Sequence, residues 1–233
     1  AYNKETRTVY AASSPTDATQ RYLYETNLDS KKTKRSTPAE FEGTNSYTFS
    51  PDAAFAKHTN SNINRNWNTR LVALKDHVKI FPLEKDVFTK PERNYSLEKF
   101  KVKTIDNVEL DGVMAKPLDF DATKKYPVFF YVYGEPMSSV ANDEPRFNGF
   151  IATLVPEGYI GIINTRDQAM AAKEILKWNF IDTDRVAVHG WSGGGAVTLN
   201  LLFQYPDIYK TGVAVSAVTD QHFYDNIYTE RYM

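Results

Sequence analysis

The sequence predicts an α/β fold with a mainly parallel sheet, preceded by an all-β segment. Two observations carry this. In residues 91–233, short apolar strands alternate with helix-length segments, the pattern of strand–helix–strand units. In residues 1–90, short strands follow one another between polar turns with no helical periodicity, as in a sandwich, barrel or propeller.

In the β segment, strands are expected at Thr8–Ala11, Tyr22–Thr26, Tyr47–Ser50, Ala54–His58, Arg70–Leu74 and Val78–Phe81. Asn27-Leu28-Asp29-Ser30 and Pro51-Asp52 read as turns, since Asn, Asp, Ser and Pro supply turn geometry. Phe49-Ser50-Pro51-Asp52 resembles a turn of a β-propeller blade. These strands would make about one and a half four-stranded blades, and a propeller closes with about four to eight. A partial propeller and a small independent β domain both fit.

In the α/β segment, Leu97–Val102 and Val108–Met114 read as a hairpin around Asp106-Asn107. Val128–Val132 is an uninterrupted apolar run, as a strand buried on both faces requires. Phe147–Pro156 is helix-like, Tyr159–Ile163 is a second core strand, and Asp167–Trp178 is a helix. Arg185–Val188 is a third strand, Ala196–Tyr205 a helix that closes before Pro206, and Gly212–Val215 a fourth strand.

The composition narrows the function. Lysine and arginine number 28 against 29 acids, and the net charge of -1 argues against a general nucleic-acid or polybasic membrane binder. With no cysteine, disulfides, thiol catalysis and Cys-based zinc sites are excluded. The four histidines show no metal-ligand spacing. No apolar run reaches membrane-spanning length, and Ala1-Tyr2-Asn3-Lys4-Glu5 does not read as a signal peptide.

The chemistry-bearing segment is Gly190-Trp191-Ser192-Gly193-Gly194, a G-x-S-x-G between a strand and a helix. That is the context of the nucleophile elbow of α/β-hydrolase folds. The turn is so sharp that Cβ atoms two residues either side of the serine would clash, and Gly190 and Gly194 remove them. The Ser192 hydroxyl then projects at a helix N-terminus, where free N–H groups and the helix dipole stabilise negative charge. The competing reading is a glycine-rich turn whose serine only caps the helix.

Four stretches together resemble the prolyl oligopeptidase family of serine peptidases, in its dipeptidyl peptidase IV branch. They are Thr19–Tyr24, Tyr126–Pro136, Gly190–Gly195, and Tyr224-Asp225 with Tyr228-Thr229-Glu230-Arg231-Tyr232-Met233. The resemblance implies final propeller blades over 1–90 and an α/β-hydrolase catalytic domain over 91–233. It implies Ser192 as nucleophile, with the Gly193 N–H and the Tyr133 hydroxyl as oxyanion hole. It puts Val218, Gln221, Tyr224 and Tyr228 in the pocket for the residue before the cleaved bond. The family's catalytic Asp and His lie beyond its Tyr-Thr-Glu-Arg-Tyr-Met block, so the domain is expected to be incomplete at its C-terminus.

The chain departs from the family at several points. Gly193 stands where many members have tyrosine, and Gln221 where they have tryptophan, so an enlarged pocket with relaxed selectivity is expected. The family pattern is longer around Asn60–Thr69 and between Arg166 and Asp167. The resemblance further implies peptide substrates, no cofactor or metal, a homodimer, and a periplasmic, secreted or membrane-anchored setting.

Other ionisable residues have bland readings. His189 ends a core strand and is expected to be structural. His222 follows Ser192 in chain order but lacks an evident acidic orienter, and is expected at the pocket rim. His58 and His77 are expected at the surface. Asp182 and Asp184 are expected in a loop before a strand, and Asp220, Asp225 and Glu230 as partners for Arg231 or loop caps. The leading function is a serine exopeptidase releasing N-terminal dipeptides after Pro or Ala. An acylaminoacyl peptidase or esterase, and a non-catalytic propeller–hydrolase binding protein, are the alternatives.

Overall fold

The computed structural model describes residues 1–135, 139–164 and 168–232. Pro136, the Arg166–Asp167 join and Met233 lie outside the described residues. The chain forms two compact units, Ala1–Glu92 with Asn142–Arg146, and Arg93–Ala141 with Phe147–Met233.

The first unit holds two four-stranded antiparallel sheets, each with its strands in chain order. One comprises β1 (Tyr2–Asn3), β2 (Thr8–Ser13), β3 (Tyr22–Asn27) and β4 (Thr33–Arg35). The other comprises β5 (Thr44–Phe49), β6 (Phe55–Asn62), β7 (Arg65–Ala73) and β8 (Lys79–Phe81). This is two sheets, where six strands and one and a half blades are expected from sequence. The strands not foreseen are β1 and β4. They are short and polar, and an edge strand with no apolar face shows no period-2 pattern. Asn60–Thr69, where the family resemblance implies a longer segment, folds as the tight β6–β7 hairpin, with Asn62 opposite Arg65. Tyr10 and Leu23 of the first sheet pack in one core with Ala56 and Val72 of the second. Asp143 also belongs to this unit, accepting from the Ile63 N–H at 2.9 Å and from Gln20 Nε2 at 3.0 Å.

His58 and His77 are not surface residues. His58 is fully buried, its ring stacked on Tyr47 at 4.4 Å and edge-on to Phe41 at 5.0 Å. Arg70 Nη1 donates to His58 Nδ1 at 3.1 Å, so His58 is the neutral tautomer whose Nε2–H donates to Asn45 Oδ1 at 2.8 Å. His77 Nε2 meets the Tyr47 hydroxyl at 2.9 Å. The buried Arg70 guanidinium lies over the Phe41 ring at 4.2 Å and pairs with Asp86 at 3.4 Å. Polar residues at alternate strand positions read as an outer face, but here they form one satisfied internal network.

Burial, followed by the Arg70 charge, pushes the His58 pKa down to about 2, and burial also lowers that of His77. Below the unfolded value of about 6.5, the unfolded chain binds protons that the folded unit refuses. The histidines' contribution is therefore intact above that value and declines as pH falls towards the folded value. The unfolding free energy measured in urea should drop between pH 7 and pH 5, by up to about 1.4 kcal/mol per pH unit for each histidine fully refused its proton, and the midpoint should fall with it. His58→Gln should flatten that slope. An unchanged wild-type midpoint across that range would show that neither ring is held neutral.

The second unit carries a six-stranded mixed sheet in the order β14-β13-β11-β12-β10-β9. β9 (Tyr95–Lys103) and β10 (Glu109–Pro117) form the expected antiparallel hairpin, with Asn107 in the left-handed region at φ 70°. β11 (Tyr126–Tyr131) leads to α1 (Gly149–Leu154), a 3-10 turn at Val155–Glu157, β12 (Ile160–Asn164) and α2 (Gln168–Ile175). Then come β13 (Ile181–Trp191), α3 (Gly193–Gln204), β14 (Thr211–Val215), a 3-10 turn at Gln221–Phe223 and α4 (Asn226–Tyr232). Asn148 caps α1, its side chain accepting from the Ile151 N–H, and Gly158 at φ 91° closes the following turn. β11 to β14 are mutually parallel, and their apolar runs meet α2 and α3 through Val128, Phe130, Ile162, Val188, Ile175 and Leu201.

Asp182 and Asp184 lie within β13 and not in a loop before it. Asp182 accepts from Arg185 Nε at 2.7 Å and from the Asp184 N–H, an exposed local pair. From β11 the chain builds outward to β12 on one side, then to β13 and β14 on the other. Such a reversal opens a crevice at the carboxyl ends of the strands, where α/β proteins place their sites.

Candidate active site

The carboxyl end of β13 delivers Ser192 into that crevice. Its backbone is held at φ 56° and ψ -120°, a conformation that a non-glycine residue adopts only when its surroundings enforce it. The Ser192 N–H donates to the Val215 carbonyl at 2.9 Å, tying the elbow to the end of β14. The serine side chain makes no hydrogen bond to the first turn of α3. That removes the reading of Ser192 as a helix cap: it occupies the cap position with its hydroxyl uncommitted to the helix.

Two glycines make the turn possible. A Cβ on Gly190 would overlap the Gly194 carbonyl and lie 2.8 Å from Thr198 Oγ1. The Thr198 hydroxyl itself donates to the Gly194 carbonyl at 2.9 Å. A Cβ on Gly194 would overlap the Val132 carbonyl and lie 3.1 Å from Tyr133 Cδ2. The Gly190 clash falls inside the turn, as expected. The Gly194 clash falls on Val132 and Tyr133, just past the end of β11, so this glycine lets that segment approach the helix.

That approach brings Tyr133 to the elbow. The Val132 N–H donates to the His189 carbonyl at 2.9 Å, extending the β11–β13 register past Tyr131. Tyr133 then lies against the first turn of α3. Burial, then the nearby Glu135 charge, raises its pKa above the usual phenol value, so its hydroxyl stays protonated and able to donate at neutral pH. Tyr224 also lies close enough to contribute to that shift. Tyr224 and Tyr228 meet edge to face at 5.3 Å. Val218 and Gln221 are half-buried in the chain between β14 and α4, and Gln221 Oε1 is buried with no hydrogen-bond partner among the described residues.

His189 is buried, and its Nδ1–H donates to the Val213 carbonyl at 3.0 Å, so it packs between strands. His222 does have an acidic orienter, contrary to the sequence expectation: its Nδ1 meets Asp220 Oδ1 at 2.7 Å. A residue two positions away is too local to suggest a triad member from sequence. The His222 side chain is 92% exposed, and no hydrogen bond among the described residues joins it to Ser192. Asp220 also caps the turn at Gln221–Phe223, and Asp225 accepts from the Tyr228 N–H, so both are loop caps.

Two features were not singled out from sequence. Ser216, just after β14, is at φ 48°, a strained position beside the carbonyl that holds Ser192. Glu135 places its carboxylate where a side chain on Gly193 would begin. The room expected at Gly193 is therefore already filled. Only the fold brings residues 135 and 193 together.

Residues 158–233 match the model of the prolyl oligopeptidase family. The probable dipeptidyl-aminopeptidase B of Aspergillus terreus is 32% identical over 257 aligned residues, covering 97% of this chain and 28% of the relative. The chain belongs to the prolyl oligopeptidase family. The probable dipeptidyl-aminopeptidase B of Neurospora crassa is 30% identical with the same coverage. The crystal structure of Porphyromonas gingivalis dipeptidyl peptidase 4 matches with a TM-score of 0.87 and 26% identity, over 100% of this chain and 36% of that one. A putative dipeptidyl aminopeptidase IV from Bacteroides ovatus matches at 0.82 and 25%. The fold is thus that of the family: propeller strands followed by part of an α/β-hydrolase domain. The chain spans about a quarter to a third of the length of these relatives.

The strain at Ser192 can be measured. Ser192→Gly should stabilise the protein by about 1–2 kcal/mol relative to Ser192→Ala, since glycine adopts this backbone freely. Equal urea stabilities of the two variants would show that the elbow is relaxed.

Proposed function

We propose that the complete protein is a serine exopeptidase that releases N-terminal dipeptides, with Ser192 as nucleophile, and that it acts after Pro or Ala. The observation that carries this reading is the strained, uncommitted Ser192 beside Tyr133 at the first turn of α3. The names of the relatives favour the dipeptidyl specificity over an acylaminoacyl peptidase or esterase. Peptides are the substrates, and a homodimer belongs to the same reading.

The chemistry is acyl transfer. The Ser192 hydroxyl attacks the scissile carbonyl carbon as a histidine takes its proton. The resemblance puts that histidine and its aspartate C-terminal to the Tyr-Thr-Glu-Arg-Tyr-Met block. The Gly193 N–H and Tyr133 hydroxyl donate to the oxyanion as it forms. The tetrahedral intermediate collapses to the acyl-enzyme, the amine leaves with the proton, and water completes the cycle. Tyr224 and Tyr228 supply apolar faces for a compact ring such as proline, together with Val218 and Gln221.

Ser192→Ala should abolish labelling of the complete protein by a fluorophosphonate while leaving it folded; persistent labelling would remove Ser192 from its role. Tyr133→Phe should lower kcat by about 10²–10³ with little change in KM, the loss expected for one oxyanion donor. A near wild-type kcat would show that the ring only packs. Substrates with free or acylated N-termini then separate the dipeptidyl from the acylaminoacyl reading.

A further inference from the structure

The strand beside the elbow ends in step with it. Ala214 and Val215 of β14 pair with Gly190 and Trp191 of β13, so Ser216 and Ser192 are the next residues on two adjacent strands. Both leave the sheet through positive φ, 56° at Ser192 and 48° at Ser216. At Ser216 the chain turns across the start of α3. The Val215 carbonyl, just before the turn, accepts from the Ser192 N–H at 2.9 Å. A Cβ on the buried Gly195 would lie 2.8 Å from that same carbonyl oxygen, 2.9 Å from Ala217 Cα and 3.0 Å from Ala217 Cβ. These obstacles are backbone atoms and a Cβ, none of which can rotate away. Val218, half-buried, follows directly.

We propose that Ser216 is a positioning residue, whose left-handed backbone holds the nucleophile and the Val218 pocket wall in one fixed relation. This rests on the peptidase reading above. A single turn serves both. On its N-terminal side it aims the Val215 carbonyl at the Ser192 N–H. On its C-terminal side it seats Ala217 on Gly195 and so directs Val218. A residue with a Cβ stays at positive φ only where its surroundings enforce it. Here the enforcement comes from Val215 in register with Trp191 and from Ala217 against α3. The rival role is a chain reversal that matters for stability alone. That role lowers the folded fraction and leaves each folded molecule as reactive and as selective as before. The positioning role changes both properties of the folded enzyme together. A displacement of about 1 Å at a reacting group can cost about 10²-fold in rate, and an apolar pocket discriminates through close contact with its walls.

The test uses the complete protein, with each variant's folding checked by its urea transition. Ser216→Pro removes the left-handed turn outright, since the proline ring holds φ near about -65°. The folded variant should lose about 10²-fold in the rate constant for fluorophosphonate labelling of Ser192 and in kcat. The ratio of its kcat/KM values for proline and leucine before the scissile bond should fall towards one. Ser216→Gly, which adopts positive φ freely, should keep wild-type labelling and selectivity, because the turn and not the hydroxyl is what acts. Ser216→Val disfavours the same backbone through its branched Cβ, and Gly195→Ala pushes on the turn from the helix side. Both should show the paired loss in milder form, and they decide the matter if Ser216→Pro does not fold. Wild-type labelling and selectivity in folded Ser216→Pro, loss of one without the other, or a paired loss in Ser216→Gly overturns the proposal. If the wild type cleaves dipeptide substrates and is labelled at Ser192, that failure belongs to Ser216 alone. No turnover and no labelling of the wild type would overturn the peptidase reading as well.

Discussion

The site depends on one close approach, that of the end of β11 to the first turn of α3. Val132 extends the strand register by donating to His189, and its carbonyl takes the space that a side chain on Gly194 would need. Without that approach the Tyr133 ring would not reach the elbow. Ser192 is fixed from the opposite side by Val215, so the serine is held between the ends of two strands. The strained backbone at Ser192 persists because the buried end of β13 is held in parallel register by β11 on one side and by β14 on the other.

The same constraint explains the distribution of charge. Burial and a neighbouring carboxylate keep the Tyr133 phenol protonated, which suits a donor to a developing oxyanion. The nearby histidines are committed elsewhere: His189 to a strand carbonyl and His222 to Asp220 in an exposed turn. The first unit deals with charge differently, burying Arg70 among His58, Asn68, Asp86 and the Phe41 ring. Its polar network takes the place that aliphatic side chains occupy in the second unit.

What the sequence made legible follows from what each residue's own neighbours impose. The core strands β11 to β14 announce themselves through apolar runs, and the elbow through two glycines flanking a serine between strand and helix. β1 and β4 were invisible because short polar edge strands carry no alternation. His58 and His77 misled because a buried polar ring looks like a surface one until Tyr47, Asn45 and Arg70 are brought around it. Gly193 misled in another way: a missing side chain suggests a vacancy, and only tertiary contact shows Glu135 in that volume. The pairing of Asp220 with His222 spans two residues, and only the folded turn shows the ring nitrogen meeting the carboxylate.

The central claim is that Tyr133 and Gly193 jointly hold the oxyanion above Ser192. It is tested most directly by a crystal structure of the complete protein with a phosphonate bonded to Ser192. The account predicts one phosphoryl oxygen accepting from both the Gly193 N–H and the Tyr133 hydroxyl at about 2.7–3.1 Å. A phosphoryl oxygen turned to solvent, or a Tyr133 ring directed away from it, would contradict the account.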